Sequence, residues 1–284
     1  MRIVQTAAEC RQAVAESRAL GRRIGFVPTM GGLHAGHVSL IEAARAAGEV
    51  VVVSIFVNPT QFGPGEDFAR YPRPVEQDRA TCERSGCDLL FIPEVAQIYP
   101  PGDETRVRPG PLADRMCGPF RPGHFEGVCT VVARLFNIVQ PDVAYFGQKD
   151  AQQAVILRRM TTDLCFPIEV RVCPTVREPD GLACSTRNSY LSPEQRDQAA
   201  SLYRGLCAGR DLIAGGECRP GRVIAAIRRV LDDAGVRRID YITVADPATL
   251  VEPDEIRGPV MLALAVRIGS SRLIDNVLVQ PPAR

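Results

Sequence analysis

The amino-acid sequence predicts an α/β protein: a doubly wound parallel sheet over residues 1–175, followed by a smaller α+β domain over 176–284. Three observations predict it. Short apolar runs alternate with helical stretches through the first 170 or so residues. Those runs are apolar on both faces, the pattern of strands covered on each side by crossover helices. After Pro174 the order changes to two helical stretches followed by three clustered strand-like runs, which suits a compact α+β unit. A chain of 284 residues is long enough for two such domains, each with its own core.

Taken in order, MRIVQTAAECRQAV reads as a strand followed by an amphipathic helix, without the apolar core of a signal peptide. Ile24–Val27, Val50–Val57, Leu89–Ile92, Val143–Phe146 and Ile168–Val172 read as strands. The helical stretches between them are Gly36–Ala47, Val75–Ser85, Gly127–Val139 and Asp150–Thr162. In the second domain Pro193–Ala214, opened by Ser192-Pro193, and Gly221–Ala234 read as helices. Ile239–Val244, Val260–Ile268 and Leu273–Val279 read as strands. Gly63–Pro74 and Tyr99–Gly123 are the long loops, and long loops in compact domains often carry function.

Composition narrows the function. The formal net charge is +1 and no basic stripe is present, which argues against nucleic-acid binding. A hydrophobic share of 45% argues against disorder. The longest apolar runs, such as Val50–Val57, are far too short to span a membrane. Ten cysteines form no C-x-x-C pair, and none stands at zinc-finger spacing from a histidine. The expectation is a reduced, cytoplasmic protein whose free thiols fill small core positions. Lys and Arg together number 34, and all but Lys149 are arginine. So strong a bias leaves lysine where arginine cannot do the same work, which marks Lys149 as a functional candidate.

Four segments carry chemistry. In PTMGGLHAGHVSLIEAAR, Gly31, Gly32 and Gly36 let backbone approach a ligand, and the helix that opens there offers N–H groups to an anion. It matches neither G-x-G-x-x-G nor a P-loop. His34 and His37, three apart at the start of that helix, can hydrogen-bond phosphate oxygens and stabilise charge that develops as pyrophosphate departs. In SIFVNPTQF, at the carboxyl end of a strand, Asn58 and Gln61 offer uncharged donors and acceptors and Phe62 an apolar wall. In GQKDAQQ, Lys149 can neutralise nucleotide phosphates, Asp150 caps the next helix or contacts ribose or Mg²⁺, and Gln153 faces the same cleft. In REPDGLACSTRNSYLSPEQR, Ser185, Thr186 and Arg187 supply two hydroxyls and a guanidinium for a triphosphate. His124 reads as structural.

MGGLHAGH, SIFVNPTQF, GQKDAQQ and CSTRNSYLS, in that order over essentially the full length, resemble the pantoate–β-alanine ligases, a family of the nucleotidylyltransferase superfamily with its H-x-G-H signature. The resemblance implies a Rossmann-like first domain, a small C-terminal lid domain and a homodimer. It also implies Mg²⁺, ATP, pantoate and β-alanine, in two steps through a pantoyl adenylate. By position, Met30, Gly31, Gly32, Leu33, His34, Ala35, Gly36 and His37 would line the ATP site, with His37 the proton donor. Gly147, Gln148, Lys149, Asp150, Val176, Cys184, Ser185, Thr186 and Arg187 match further ATP-binding positions. Gln61 and Gln153 match pantoate contacts, and Asn58 a polar residue at the pantoate and β-alanine end. Gln148 stands where many members have Glu, and Cys184 and Thr186 where Met-Ser-Ser is common.

The chemistry fits these residues independently. A carboxylate does not condense with an amine at neutral pH until it is activated, and adenylation supplies the leaving group. No G-x-S-x-G or Cys–His pair suggests a nucleophile, so positioning and electrostatics would carry catalysis, with no protein-ligated metal expected. One alternative is a nucleotidyltransferase that adenylylates a phosphorylated acceptor, but Asn58–Gln61 lacks the extra cations such an acceptor needs. A second is a thiol- or metal-responsive binding protein, against which the cysteine spacing argues.

Overall fold

The computed structural model describes residues 1–282. The chain forms two compact units. The first comprises 1–110, 121–148 and 156–174; the second comprises 111–120, 149–155 and 175–284. The division is therefore not one cut in the sequence.

The first unit is built on a six-stranded parallel sheet. Its strands are β1 (Arg2–Val4), β2 (Ile24–Thr29), β3 (Val50–Ile55), β4 (Leu89–Phe91), β5 (Val143–Gly147) and β6 (Glu169–Cys173). They lie in the order β1-β4-β3-β2-β5-β6. β3 reads VVVVSI and is buried at every residue, as a central strand covered on both faces must be. Around the sheet pack α1 (Ala7–Ala19), α2 (Ala35–Ala46), α3 (Val75–Ser85), the short α4 (Val95–Ile98) and α5 (His124–Val139). α3 begins after Pro74 and stops at Gly86, whose left-handed backbone (φ +86°) suits a helix C-terminus. α5 starts three residues earlier than its apolar pattern alone predicts. Gly123, at φ +79°, turns the chain into it, and His124 and Phe125 are already buried. The chain then passes into α6 (Ala151–Asp163), and the long loops hold short 3-10 turns at Asp67–Arg70, Pro111–Asp114 and Gly118–Phe120.

The sheet opens at its carboxyl end. β2 pairs with β3 through six residues but with β5 only at Gly25 and Phe26. Pro28 therefore lies where β2 has parted from β5, so its missing N–H costs no ladder bond on that side. The reversal of strand order falls between β2 and β5, where open α/β sheets form their ligand crevice.

The second unit has an antiparallel sheet, β7 (Arg238–Ala245), β8 (Val260–Ile268) and β9 (Ser271–Val279), packed on α7 (Pro193–Ala214) and α8 (Pro220–Asp233). Ser192 caps α7, its hydroxyl accepting the Gln195 N–H at 3.3 Å while Gln195 Oε1 accepts the Ser192 N–H at 3.1 Å. Val223, Ile227 and Leu231 recur at four-residue spacing and bury one face of α8. Among the described residues no helix is long and apolar enough to cross a membrane. Cys10 and Cys129 are wholly buried core residues, and burial pushes both thiols up to about 12.

α7 approaches α8 and β8 at Gly209. A β-carbon there would stand 2.8 Å from Ile227 Cδ1 and 3.0 Å from Leu262 Cδ1. Gly209→Val is expected to overpack this contact and lose about 1–3 kcal/mol in urea unfolding.

Candidate active site

The turn from β2 into α2 is held by its own side chains and by one residue from α3. The Thr29 hydroxyl donates to the Ser54 carbonyl at 2.7 Å and accepts the Gly31 N–H at 3.2 Å. Gly31 and Gly32 both take left-handed backbone, φ +82° and +63°. Asp78 of α3, 2% exposed, accepts the Gly32 N–H at 2.9 Å on Oδ2 and the Leu33 N–H at 2.8 Å on Oδ1.

His34 and His37 then close the helix end reciprocally. His34 is the N-cap of α2, and its Nδ1 accepts the Gly36 N–H at 3.1 Å. His37 Nδ1 accepts the His34 N–H at 3.3 Å, and the two ring centroids are 4.1 Å apart. An N–H aimed at Nδ1 makes that nitrogen the acceptor, so each neutral ring carries its proton on Nε2. The His37 and Val38 N–H groups go to the His34 carbonyl at 2.8 and 3.1 Å. The helix end that the sequence reads as offering N–H groups to an anion thus has most of them paired within the protein. The N–H groups of Gly31–His34 and Gly36–Val38 all have partners within the protein. The two imidazoles add Nε2–H donors to this turn.

Asn58 and Gln61 come together with Met30. The 3-10 turn Pro59–Gln61 follows β3, and Asn58 is 1% exposed beside it. Asn58 Nδ2 donates to Gln61 Oε1 at 3.0 Å and to the Gly127 carbonyl at 3.1 Å. Its Oδ1 accepts from Tyr99 OH at 2.7 Å and from the Thr60 N–H at 3.3 Å. One amide hydrogen of Asn58 thus fixes the Gln61 side chain, and the other ties this corner to α5 at Gly127. Gln61 Nε2 donates to Met30 Sδ at 3.1 Å. A thioether is a weak acceptor, so this donor can exchange Met30 for a better partner at little cost.

The Gln61 backbone is gripped from below. His124 Nδ1 donates to the Gln61 carbonyl at 2.8 Å, which leaves Nε2 to accept from Arg121 Nη1 at 2.8 Å. Arg121 in turn makes a bidentate pair with Glu66 at 2.8 and 2.6 Å. Burial alone would raise the Glu66 carboxyl, but Arg121 holds it below the usual carboxylate value. His124, read from sequence as structural, is therefore the post on which Gln61 stands.

In the first unit β5 ends at Gly147, and Gln148 opens a 3-10 turn that runs to Asp150. Lys149 and Asp150 belong to the second unit, Lys149 half-buried and Asp150 exposed. Asn276 Nδ2 of β9 donates to the Lys149 carbonyl at 3.0 Å. Gln153 is half-buried on α6. Its buried neighbour Gln152 holds the segment 111–120, bonding Cys117 N, Leu112 O and Arg115 O at 3.0, 3.0 and 2.7 Å.

The structure pairs Val176 with Cys184, whose N–H reaches the Val176 carbonyl at 3.0 Å. Ser185 caps the turn Thr186–Tyr190, its hydroxyl accepting the Arg187 N–H at 3.3 Å. The hairpin before it is anchored by Arg177, bidentate to the buried Asp275 at 2.6 and 3.0 Å and lying 3.9 Å over the Tyr203 ring. Sequence reasoning missed Asp78, Tyr99, Asp275 and Asn276. Asp78 sits in a first helical turn with Glu76, where an acid reads as a complement to the helix dipole. No local signal marks the other three.

The tautomers are checkable. In ¹⁵N spectra of histidine-labelled protein, His34 and His37 are expected as Nε2–H and His124 as Nδ1–H. The opposite assignment would break the cap and the Gln61 contact as described.

The chain matches the family model of pantoate-beta-alanine ligase over residues 2–278. It is 54% identical over 280 residues to the pantothenate synthetase of Moorella thermoacetica, covering 99% of each chain. It is 53% identical to pantothenate synthetase 1 of Bradyrhizobium diazoefficiens, covering 98% of each. A crystal structure of pantothenate synthetase from Thermus thermophilus superposes with a TM-score of 0.94 at 49% identity, over 99% of this chain and 100% of that one. The pantoate-beta-alanine ligase of Francisella tularensis, complexed with beta-gamma ATP and beta-alanine, superposes with a TM-score of 0.81 at 34% identity, over 98% and 97%. With the H-x-G-H turn, the Asn58–Gln61 corner and the Ser185–Arg187 turn in place on this fold, the chain belongs to the pantoate–β-alanine ligase family.

Proposed function

We propose that the protein joins pantoate to β-alanine in two steps driven by ATP. The observation that carries the mechanism is the reciprocal His34–His37 cap, which sets the ring protons of two neighbouring neutral imidazoles on Nε2. A pantoate carboxylate oxygen forms a bond to the α-phosphorus and the bond to pyrophosphate breaks. Charge grows on the departing phosphate oxygens, where fixed N–H donors in a water-poor site stabilise it most. The amine of β-alanine then forms the amide bond to the acyl carbon, AMP leaves with the bonding electrons, and the amine loses a proton.

Met30–His37 with Gly147 and Gln148, and Lys149, Asp150, Val176 and Cys184–Arg187, are proposed to bind ATP, with Lys149 and Arg187 on the triphosphate. Gln61 and Gln153 are proposed to bind pantoate, and Asn58 to act there through Gln61. Among the described residues no group of three His, Cys, Asp or Glu could hold a metal. Magnesium enters this proposal as part of the ATP substrate, held by phosphate oxygens. A homodimer and a cytoplasmic location belong to the same reading, on the family resemblance.

The test is pyrophosphate–ATP exchange. It should require pantoate, and multiple-turnover AMP release should require β-alanine as well; absence of pantoate-dependent exchange in folded protein would overturn the reading. His37→Asn keeps an acceptor for the His34 N–H but removes the Nε2–H donor. It should leave the melting temperature nearly unchanged and lower turnover by roughly 10²–10³. Gln61→Ala should raise KM for pantoate more than KM for ATP in steady-state kinetics.

A further inference from the structure

We propose that Asp78 is a positioning residue for the adenylation step: its carboxylate clamps the Gly32–Leu33 backbone and so sets where the two imidazoles stand, without touching substrate. This rests on the function proposed above. Asp78 is 2% exposed, and each of its oxygens takes one N–H, Gly32 at 2.9 Å and Leu33 at 2.8 Å. Two parallel N–H···O⁻ bonds to successive residues fix both position and orientation of a short segment, and charge-assisted bonds are the stronger kind.

The segment needs such a clamp. Gly31 and Gly32 are both left-handed, and glycine has the widest conformational freedom of any residue. The Thr29 hydroxyl holds Gly31 from one side at 3.2 Å, and Asp78 holds the next two residues from the other. His34 follows directly as the N-cap, so a shift at Leu33 rotates the ring pair with it. Closeness leaves little slack: a β-carbon on Gly31 would stand 3.0 Å from both Asp78 Oδ2 and Ile55 Cγ2.

The clamp also has a firm base. Asp78 lies in the first turn of α3, which packs against α2, and Cys82 one turn further on is wholly buried in the core beneath both helices. The carboxylate therefore ties the catalytic turn to α3, an element separated from it by β3 and a long loop. It also takes up two N–H donors that would otherwise compete with the imidazoles for phosphate oxygens. A neutral amide cannot do both jobs, because Asn presents one acceptor and turns an N–H toward the other donor.

The test uses Asp78→Asn, an isosteric change, in the full chain. In hydrogen exchange, Gly32 and Leu33 amides should lose protection. Pantoate-dependent pyrophosphate–ATP exchange should fall by roughly 10- to 100-fold, the cost of misplacing catalytic groups by about 1 Å, with a raised KM for ATP. Aminolysis of prepared pantoyl adenylate by β-alanine should stay within about threefold of wild type, because it needs no pyrophosphate departure. Unchanged amide protection, wild-type exchange kinetics, or equal loss in both half-reactions would each overturn the proposal. Asp78→Ser is the second variant; failure of both to fold would assign Asp78 to stability and also overturn it. Absence of pantoate-dependent exchange in the wild type would instead refute the proposed function, while the amide protection still reports on the clamp.

Discussion

The turn from β2 into α2 has to satisfy its own backbone before it can serve a ligand, and the rest of the first unit depends on how it does so. Seven N–H groups between Gly31 and Val38 find partners in Thr29, Asp78, the two imidazoles and the His34 carbonyl. A backbone group left unsatisfied away from water costs about 1–3 kcal/mol. The solution differs from a P-loop, in which the backbone itself cradles phosphate. Here most of the turn's backbone N–H groups are paired within the protein, and two imidazoles stand beside them. The two histidines share the cap: His34 Nδ1 takes the Gly36 N–H, His37 Nδ1 takes the His34 N–H, and each neutral ring then carries its proton on Nε2.

Polar burial recurs at the corner after β3. Asn58, Tyr99 and His124 are all buried, yet each has its hydrogen bonds met, and all three converge on the turn that carries Gln61. Fully satisfied networks of this kind rigidify a site where a partly satisfied one would weaken it. Arg134 stacks 4.6 Å over the Tyr99 ring and bonds Asp103, so the long loop that begins at Tyr99 is bound to α5. Gly127 completes the fit, since a β-carbon there would run into the Thr60 carbonyl. The position demands glycine for space, with no need of special backbone angles.

The second unit solves the same problem with charge. Asp275 is almost wholly buried, and burial raises its carboxyl even against the pull of Arg177. Losing either member would leave a buried, unpaired charge, the costly way to break such a pair. Because Asn276 follows on the same strand and holds the Lys149 carbonyl, β9 organises both the Lys149 turn and the Arg177 hairpin that leads to Ser185.

By itself, the sequence determined what each segment is. Ser192-Pro193 opens a helix, VVVVSI is a strand buried on both faces, and His34-Ala-Gly-His37 falls on the first turn of α2, because caps, periodicity and turn residues act over a few positions. The sole lysine and the uncharged Asn58–Gln61 corner were legible for the same reason. Only the tertiary structure decided which segments meet. The strand order β1-β4-β3-β2-β5-β6 could not be read, since near-identical apolar runs do not name their neighbours. Nor could the grouping of 111–120 and 149–155 with the second unit. Asp78 lies 46 residues from Gly32, and its pattern in α3 is that of any acid near a helix start. Long-range burial sets that contact, and with it the ring tautomers and the fate of the turn's N–H groups.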